Sequence, residues 1–252
     1  MIKQDNIVAI IQARMTSTRL PGKVLLPLSG APLLLRMLER VSRITGLDAI
    51  WLAIPEGKDH DPIVNILPAG VKLFRGSETD VLERTFKAAK QANATVVMRI
   101  TSDCPIIDPT VSGEILAAFK NSPVVYARTA PTSGYPHGFD TEVFTMDALA
   151  SAHEEATADD EREHVTPFIL RQPKRFPALE VDHYPDFRYW RLTVDTPEDY
   201  QLAKQIFDIL FPQNPNFGFE ELRKLFTIQP ELLEINANIV QPKLAGIPES
   251  NS

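Results

Sequence analysis

The chain has 252 residues, 44 % hydrophobic and 23 % charged, both ordinary for a globular protein, which excludes a mostly disordered chain and a collagen-like or coiled-coil rod. No apolar run approaches the ~20 residues of a membrane span, and an N-terminus with Asp5 and Asn6 but no long apolar stretch is a poor signal peptide. One cysteine, Cys104, rules out an intrachain disulfide framework and a cysteine-rich zinc site and fits a reducing cytoplasm, while the net charge of −7 argues against broad nucleic-acid binding.

Asn6–Gln12 (NIVAIIQ) reads as a buried strand, followed by a loop through Lys23 and a helix from Pro32 to Arg43. Ala49–Ile54 is a second strand, Asp61–Leu67 a short helix, and Val71–Phe74 a third strand. Thr79–Gln91 follows as a helix, Thr95–Ile100 as a fourth strand, Pro109–Lys120 as a helix and Val124–Tyr126 as a fifth strand. Continuous apolar strands alternating with helices predict a three-layer α/β fold, with a mainly parallel sheet covered on both faces. The rhythm breaks after Arg128. Ala130–Phe139 is a Pro/Gly-rich loop, Asp140–Thr145 a strand, and Met146–Leu170 helical with a polar interruption near Ala158–Asp160. Arg188–Val194 reads as another strand, after which Asp195 or Thr196 can cap a helix that has Pro197 at its first position and runs to about Leu210. Residues 211–219 form a loop, followed by a helix over Glu220–Phe226 and a last helical piece near Glu231. Residues 1–240 are expected to form a single domain, with 241–252 as a loose tail.

Charge is unevenly spread. Residues 1 to 36 hold Lys3, Arg14, Arg19, Lys23 and Arg36 against one acid, Asp5. Separations beyond ~8 Å are largely screened at physiological ionic strength, so a compact polyanion senses this cluster rather than the total. In open α/β sheets ligands bind beyond the carboxyl ends of the strands. The loop leaving the first strand there, Gln12–Lys23, carries three cations, small hydroxyl residues and free backbone N–H groups that suit a chain of phosphates. It is neither a Walker A loop nor G-x-G-x-x-G. Asp103 follows the fourth strand with no helix directly after it to cap, whereas Asp108, before Pro109, fits a helix cap. Asp195 closes the segment ending at Val194. Two carboxylates meeting at one sheet edge need a counter-ion, and Mg²⁺ takes one or two carboxylates together with substrate phosphates.

Three segments, Ala13–Lys23 (ARMTSTRLPGK), Arg99–Asp108 (RITSDCPIID) and Leu192–Tyr200 (LTVDTPEDY), resemble the cytidylyltransferases that activate acidic sugars. The spore-coat polysaccharide biosynthesis group is the nearest, and the 3-deoxy-manno-octulosonate and acylneuraminate enzymes are more distant. Tyr135–Phe144 (YPHGFDTEVF) and Glu161–Pro167 (EREHVTP) are similar to the spore-coat group, and Arg75–Arg84 (RGSETDVLER) to a wider set. The resemblance implies a nucleotide-diphospho-sugar transferase (Rossmann-like) fold, CTP and an acidic sugar as substrates, Mg²⁺ as metal, and a homodimer. It implies that Arg14, Ser17, Arg19 and Lys23 hold the triphosphate, with Ser77, Asp80 and Thr101 near the nucleotide, and that Asp103 and Asp195 hold the metal. His137, Asp140, Arg162 and His164 stand where relatives bind sugar, replacing an H-x-G-x-Y-type segment.

The reaction this implies is transfer of CMP from CTP to an acidic sugar of the ulosonic or nonulosonic type, with release of pyrophosphate, in surface polysaccharide biosynthesis. Asp103, Asp195, Lys23 and Arg14 are the expected catalytic group. Two alternatives stay open: a nucleotidyltransferase using another nucleotide for a different sugar or sugar phosphate, and a non-catalytic nucleotide- or sugar-binding protein of the same fold.

Overall fold

The computed structural model describes residues 5–240; the tail expected from Gln241 lies outside them. β1 (Ile7–Gln12) is apolar on both faces. Ile7, Ala9 and Ile11 enter one core cluster, and Val8 and Ile10 the other. Such a strand is stable only with both faces covered, and it occupies the middle of the sheet.

The remaining elements succeed one another along the chain. β2 (Pro27–Leu28) and β3 (Ala31–Pro32) form a small separate hairpin before α1 (Leu33–Val41). Then come β4 (Ala49–Pro55), α2 (Asp61–Val64), β5 (Val71–Gly76), α3 (Val81–Gln91), β6 (Val96–Thr101) and α4 (Pro109–Lys120). β7 (Tyr126–Arg128), β8 (Glu142–Thr145), α5 (Met146–Glu155), α6 (Asp159–His164), α7 (Pro167–Leu170) and β9 (Ala178–Glu180) are next. α8 (Pro197–Leu210) and α9 (Phe219–Ile228) come last, before a 3₁₀ turn over Pro230–Asn236.

The seven-stranded sheet has the order β5-β4-β1-β6-β8-β7-β9, and β8 alone runs against the others. α1, α2 and α4 cover one face, and α3, α5 and α7 the other. A third apolar cluster, built from α8, α9 and the segment around Trp190, closes one side of the molecule. No helix among the described residues is long and apolar enough to cross a membrane.

Three expectations are corrected. Arg188–Val194 is not a sheet strand: it makes one isolated bridge, Arg191 to His137, and Val194 N–H donates to the Asp103 carbonyl (2.7 Å). Its alternation is genuine, because Trp190, Leu192 and Val194 all enter the third cluster. They bury themselves against helices, not in a ladder. The seventh strand is β9, too short and too half-buried to stand out in the sequence. The helical stretch 146–170 is three helices, broken at 156–158 and again at Val165, whose φ is 75° and ψ −54°.

Candidate active site

Parallel order puts the carboxyl ends of β1, β4, β5, β6, β7 and β9 on one edge, and the reversed β8 begins there. The loop after β1 is pinned on this edge. Met15 N–H donates to His60 Nδ1 (3.2 Å), Thr16 Oγ1 to Glu78 Oε1 (2.7 Å), and Gly22 N–H to the Met15 carbonyl (2.9 Å). Gly22 has φ 70°, a left-handed turn that a side chain would strain. It turns the chain so that the next side chain, Lys23, faces inward, leaving that residue 7 % exposed.

Lys23 joins the two strand-edge acids. Its Nζ lies 2.8 Å from Asp195 Oδ1, 3.4 Å from Asp103 Oδ2 and 2.8 Å from the Val194 carbonyl. The two carboxylate oxygens are therefore no more than about 6 Å apart. Asp195 also receives Arg19 Nη2 (3.1 Å) and Arg191 Nη2 (3.3 Å). Burial works to raise the Asp103 pKa, but the Lys23 charge and a Thr101 hydrogen bond outweigh it and hold the carboxyl below its usual range. Arg40 braces the loop bearing Asp103 from behind, Nε donating to the Ile107 carbonyl (2.7 Å) and Nη2 to that of Ile106 (3.4 Å). Burial, then the nearby Arg43, brings its pKa down to about 10.

His137 and Asp140 form a second unit beside the first. The imidazole Nδ1 is 3.3 Å from Asp140 Oδ2, and that oxygen also accepts from Gly138 N–H (2.7 Å). Burial disfavours the charged imidazole, yet Asp140 holds the His137 pKa above its ordinary value. Burial likewise opposes ionisation of Asp140, and His137 keeps its pKa low. His137 Nε2 is buried without a partner among the described residues. A cavity of about 240 Å³ is lined by His137, Arg188, Tyr189, Arg191 and Asn236.

On the β5 side Arg14 stands close to buried Arg84. After burial itself, Arg14 is the main influence lowering the Arg84 pKa to about 10. Arg84 Nε is buried and has no acceptor among the described residues.

A family profile described as cytidylyltransferase matches residues 8–240. The chain belongs to the cytidylyltransferase family. An uncharacterised protein of Methanocaldococcus jannaschii is 34 % identical over 250 residues, covering 96 % of this chain and 99 % of the relative. The spore coat polysaccharide biosynthesis protein SpsF of Bacillus subtilis is 32 % identical, over 90 % of this chain and 96 % of its own. An 8-amino-3,8-dideoxy-manno-octulosonate cytidylyltransferase of Shewanella amazonensis is 30 % identical over 47 % of this chain and 49 % of its own. A solved cytidylyltransferase of Leptospira borgpetersenii superposes with a TM-score of 0.87 at 28 % identity, over 95 % of this chain and all of that one. A Mycobacterium tuberculosis protein solved in complex with manganese shares the fold, with a TM-score of 0.58 at 19 % identity over 79 % of this chain and 98 % of that one.

In this cytidylyltransferase-family chain Lys23, Asp103, Asp195 and Arg19 meet directly, Thr101 adjoins Asp103, and His137 with Asp140 lies beside them. The half-buried side chains of Arg14 and Ser17 sit on the same loop. Ser77, Asp80 and Arg162 make contacts with one another or with their own helices. Asp80, expected near the nucleotide, is the N-cap of α3, accepting from Glu83 N–H (2.8 Å), and it also pairs with Arg162. Ser77 Oγ accepts from Asp80 N–H (3.0 Å), so Ser77 caps the cap. Arg162, expected to bind an acceptor, spends its guanidinium on Asp80 and the His153 carbonyl (2.8 Å) and so ties α6 to α3. His164 ends α6, just before Val165.

Four residues escaped sequence reasoning. Arg191 bridges Asp195 and the buried Asp199, which accepts from Arg191 Nε (2.8 Å), Asp195 N–H (3.0 Å) and Thr196 N–H (3.1 Å). Thr196, not Asp195, caps α8, with Asp199 completing the capping box. That left Asp195 free for other work, and the T-x-x-D spacing was the available signal. Arg99 and Glu142 form the other missed pair, largely but not fully buried on the α3 face at the same edge. Glu142 accepts from Arg99, from Tyr126 Oη and from Thr166 Oγ1 (2.6 Å). Thr166 in turn closes a three-residue turn over Val165, its N–H donating to the His164 carbonyl (2.9 Å). A β-branched residue at this φ is strained by about 1–3 kcal/mol, a cost found where structure is over-determined near function.

Proposed function

We propose that residues 1–240 act as one catalytic unit that transfers CMP from CTP to an acidic sugar of the ulosonic or nonulosonic type, releasing pyrophosphate, in surface polysaccharide biosynthesis in the cytoplasm. The convergence of Asp103 and Asp195 on Lys23, facing the cationic loop after β1, carries this reading. The relatives named for spore coat polysaccharide biosynthesis and octulosonate cytidylyl transfer support the substrate class.

Arg14, Ser17, Arg19 and Lys23 hold the triphosphate and neutralise the pyrophosphate as it leaves. The barrier is crowding of charge around phosphorus, so positioning and fixed electrostatics supply the catalysis. Asp103 and Asp195 present hard carboxylate oxygens within about 6 Å of each other, a donor set that fits Mg²⁺ with phosphate oxygens and waters completing its shell. Such an ion, when bound, lowers the pKa of the attacking hydroxyl and screens the α-phosphate; the manganese complex of a fold neighbour supports a divalent metal. His137, whose pKa Asp140 holds above its ordinary value, recognises the acceptor carboxylate at the cavity it lines with Arg188 and Arg191. His164 is the further acceptor contact, and Arg162 orients it by fixing α6 to α3.

The test is pyrophosphate release with CTP, UTP, GTP and ATP in turn, over a panel of acidic sugars. CTP should be used with a divalent metal, and Asp103→Asn should lose at least about a thousandfold in turnover with its circular dichroism unchanged. Near-normal metal-dependent release by Asp103→Asn removes the catalytic role. Tight CTP binding without turnover on any acidic sugar of the panel removes the reaction.

A further inference from the structure

The Asp103–Asp195 pair already holds a cation of the protein's own. An ammonium has three donors and no acceptor, and Lys23 Nζ has three oxygen partners: Asp195 Oδ1, Asp103 Oδ2 and the Val194 carbonyl. The residue is buried at the root of the loop after β1, with backbone bonds from Lys23 N–H to the Leu20 carbonyl (3.2 Å) and from Leu26 N–H to the Lys23 carbonyl (3.1 Å). Its backbone is therefore anchored, while its side chain sits between the carboxylates.

We propose that Lys23 is the resident counter-ion of the Asp103–Asp195 pair and thereby sets the order of ligand entry, polyphosphate first and divalent cation second. The inference rests on the reading of this edge as a nucleotide and metal site, and goes beyond it by assigning Lys23 a task before either ligand arrives.

Two observations carry it. First, no group of three or more His, Cys, Asp or Glu side chains among the described residues could hold a metal. A cation arriving alone meets only two carboxylates, and both are bonded to Lys23. To enter, it must expel a buried ammonium whose acid partners are those same two carboxylates, and an ammonium left unpaired in a buried place is costly. Secondly, the cations on Asp195 differ in how they are tethered. Arg191 is fixed by two bonds to Asp199 (2.8 and 2.9 Å), whereas Arg19 is about half exposed and, among the described residues, pairs with Asp195. Arg19 is thus the more loosely tethered cation on Asp195, and Lys23, more firmly held, stands on the same loop, facing the incoming polyphosphate. When phosphate oxygens replace the carboxylates as acceptors of Lys23, one exchange frees both aspartates and delivers the oxygens that complete a metal shell.

The experiment measures Mn²⁺ binding to the full chain by electron paramagnetic resonance and calorimetry, with and without a non-hydrolysable CTP analogue. Wild type, Lys23→Gln, Lys23→Arg and the double variant Lys23→Gln/Asp195→Asn are compared. Wild type should bind Mn²⁺ weakly alone and tightly with the analogue. Lys23→Gln, which keeps polar contact but removes the charge, should bind Mn²⁺ alone at least about tenfold more tightly than wild type, a change of about 1.4 kcal/mol. Lys23→Arg should show no gain, and Asp195→Asn should abolish the gain. A Mn²⁺-dependent rise in melting temperature, present in Lys23→Gln and absent in wild type, reads the same effect if that variant is less stable. Should Lys23→Gln gain nothing while wild type binds Mn²⁺ with the analogue, the counter-ion role is wrong and the nucleotide–metal reading stands. Should wild type fail to bind Mn²⁺ even with the analogue, that reading and this inference both fall.

Discussion

Gly138→Ala tests whether the two halves of the site are held in register by a backbone contact. Gly138 has φ 110°, and a Cβ there would lie 2.6 Å from the Leu192 carbonyl carbon and 2.7 Å from Thr193 N, atoms of backbone that cannot rotate away. Ordinary contact begins at 3.4 Å, so the 192–195 segment must retreat by about 0.8 Å or the His137 loop must move as far. The backbone bonds between His137 and Trp190 (3.0 Å) and between Leu192 and His137 (2.7 Å) oppose this. The strain costs about 1–3 kcal/mol of stability. Because Asp195 rides on the displaced segment, a misplacement approaching 1 Å should lower turnover by up to about a hundredfold. Gly30→Ala is the matched control. Gly30 has φ 81° with no atom within 4 Å of an added Cβ, so it should lose about 1–2 kcal/mol with turnover intact. Urea unfolding and pyrophosphate release on all three proteins decide the matter. If Gly138→Ala matches Gly30→Ala in both measurements, the register argument is wrong.

Glu142→Gln should destabilise the protein by up to about 3 kcal/mol, because it leaves the largely buried Arg99 charge without its counter-ion. The double replacement Arg99→Met/Glu142→Leu should be less damaging than the single one, and a urea midpoint for Glu142→Gln unchanged from wild type would refute the pairing. The His137–Asp140 pair carries a pH signature. His137 has a raised folded pKa, so its contribution is complete below its ordinary value near 6.5 and fades as pH rises through the higher folded value. Asp140 has a lowered folded pKa, so its share is present above about 3.9 and is lost as pH falls through the lower folded value. The stability difference between wild type and His137→Asn should therefore be greatest at about pH 4–6.5 and shrink towards pH 9. A difference that stays constant across that range, measured by unfolding at each pH, would show that the ion pair contributes nothing.

The strands β1, β4, β5 and β6 and their helices were legible because local physics sufficed. Continuous apolar runs such as Ile7–Ile11 suit strands covered on both faces, and Asp108 before Pro109 caps the helix that Pro109 begins, accepting from Thr110 N–H (2.7 Å) and Val111 N–H (3.1 Å); that its other oxygen also accepts from Phe219 N–H (2.7 Å) at the start of α9 was not legible. The basic loop and the acid after β6 were legible for a similar reason, since parallel order alone delivers both to one edge. Beyond β6 the chain obeys longer-range demands. Trp190, Leu192 and Val194 alternate as a strand does, but their apolar partners are α8 and α9, and alternation records only which side is buried, not against what. β9 pairs with β7 on the strength of a register no local pattern specifies. Tertiary structure alone also decided how the charges were shared. Asp80 and Arg162 lie far apart in sequence yet satisfy each other, while Lys23, Asp103 and Asp195 converge from three segments. Sequence names which side chains can carry charge. Which of them meet depends on where distant backbone brings them, and a buried charge settles on whatever counter-charge the completed fold places within reach.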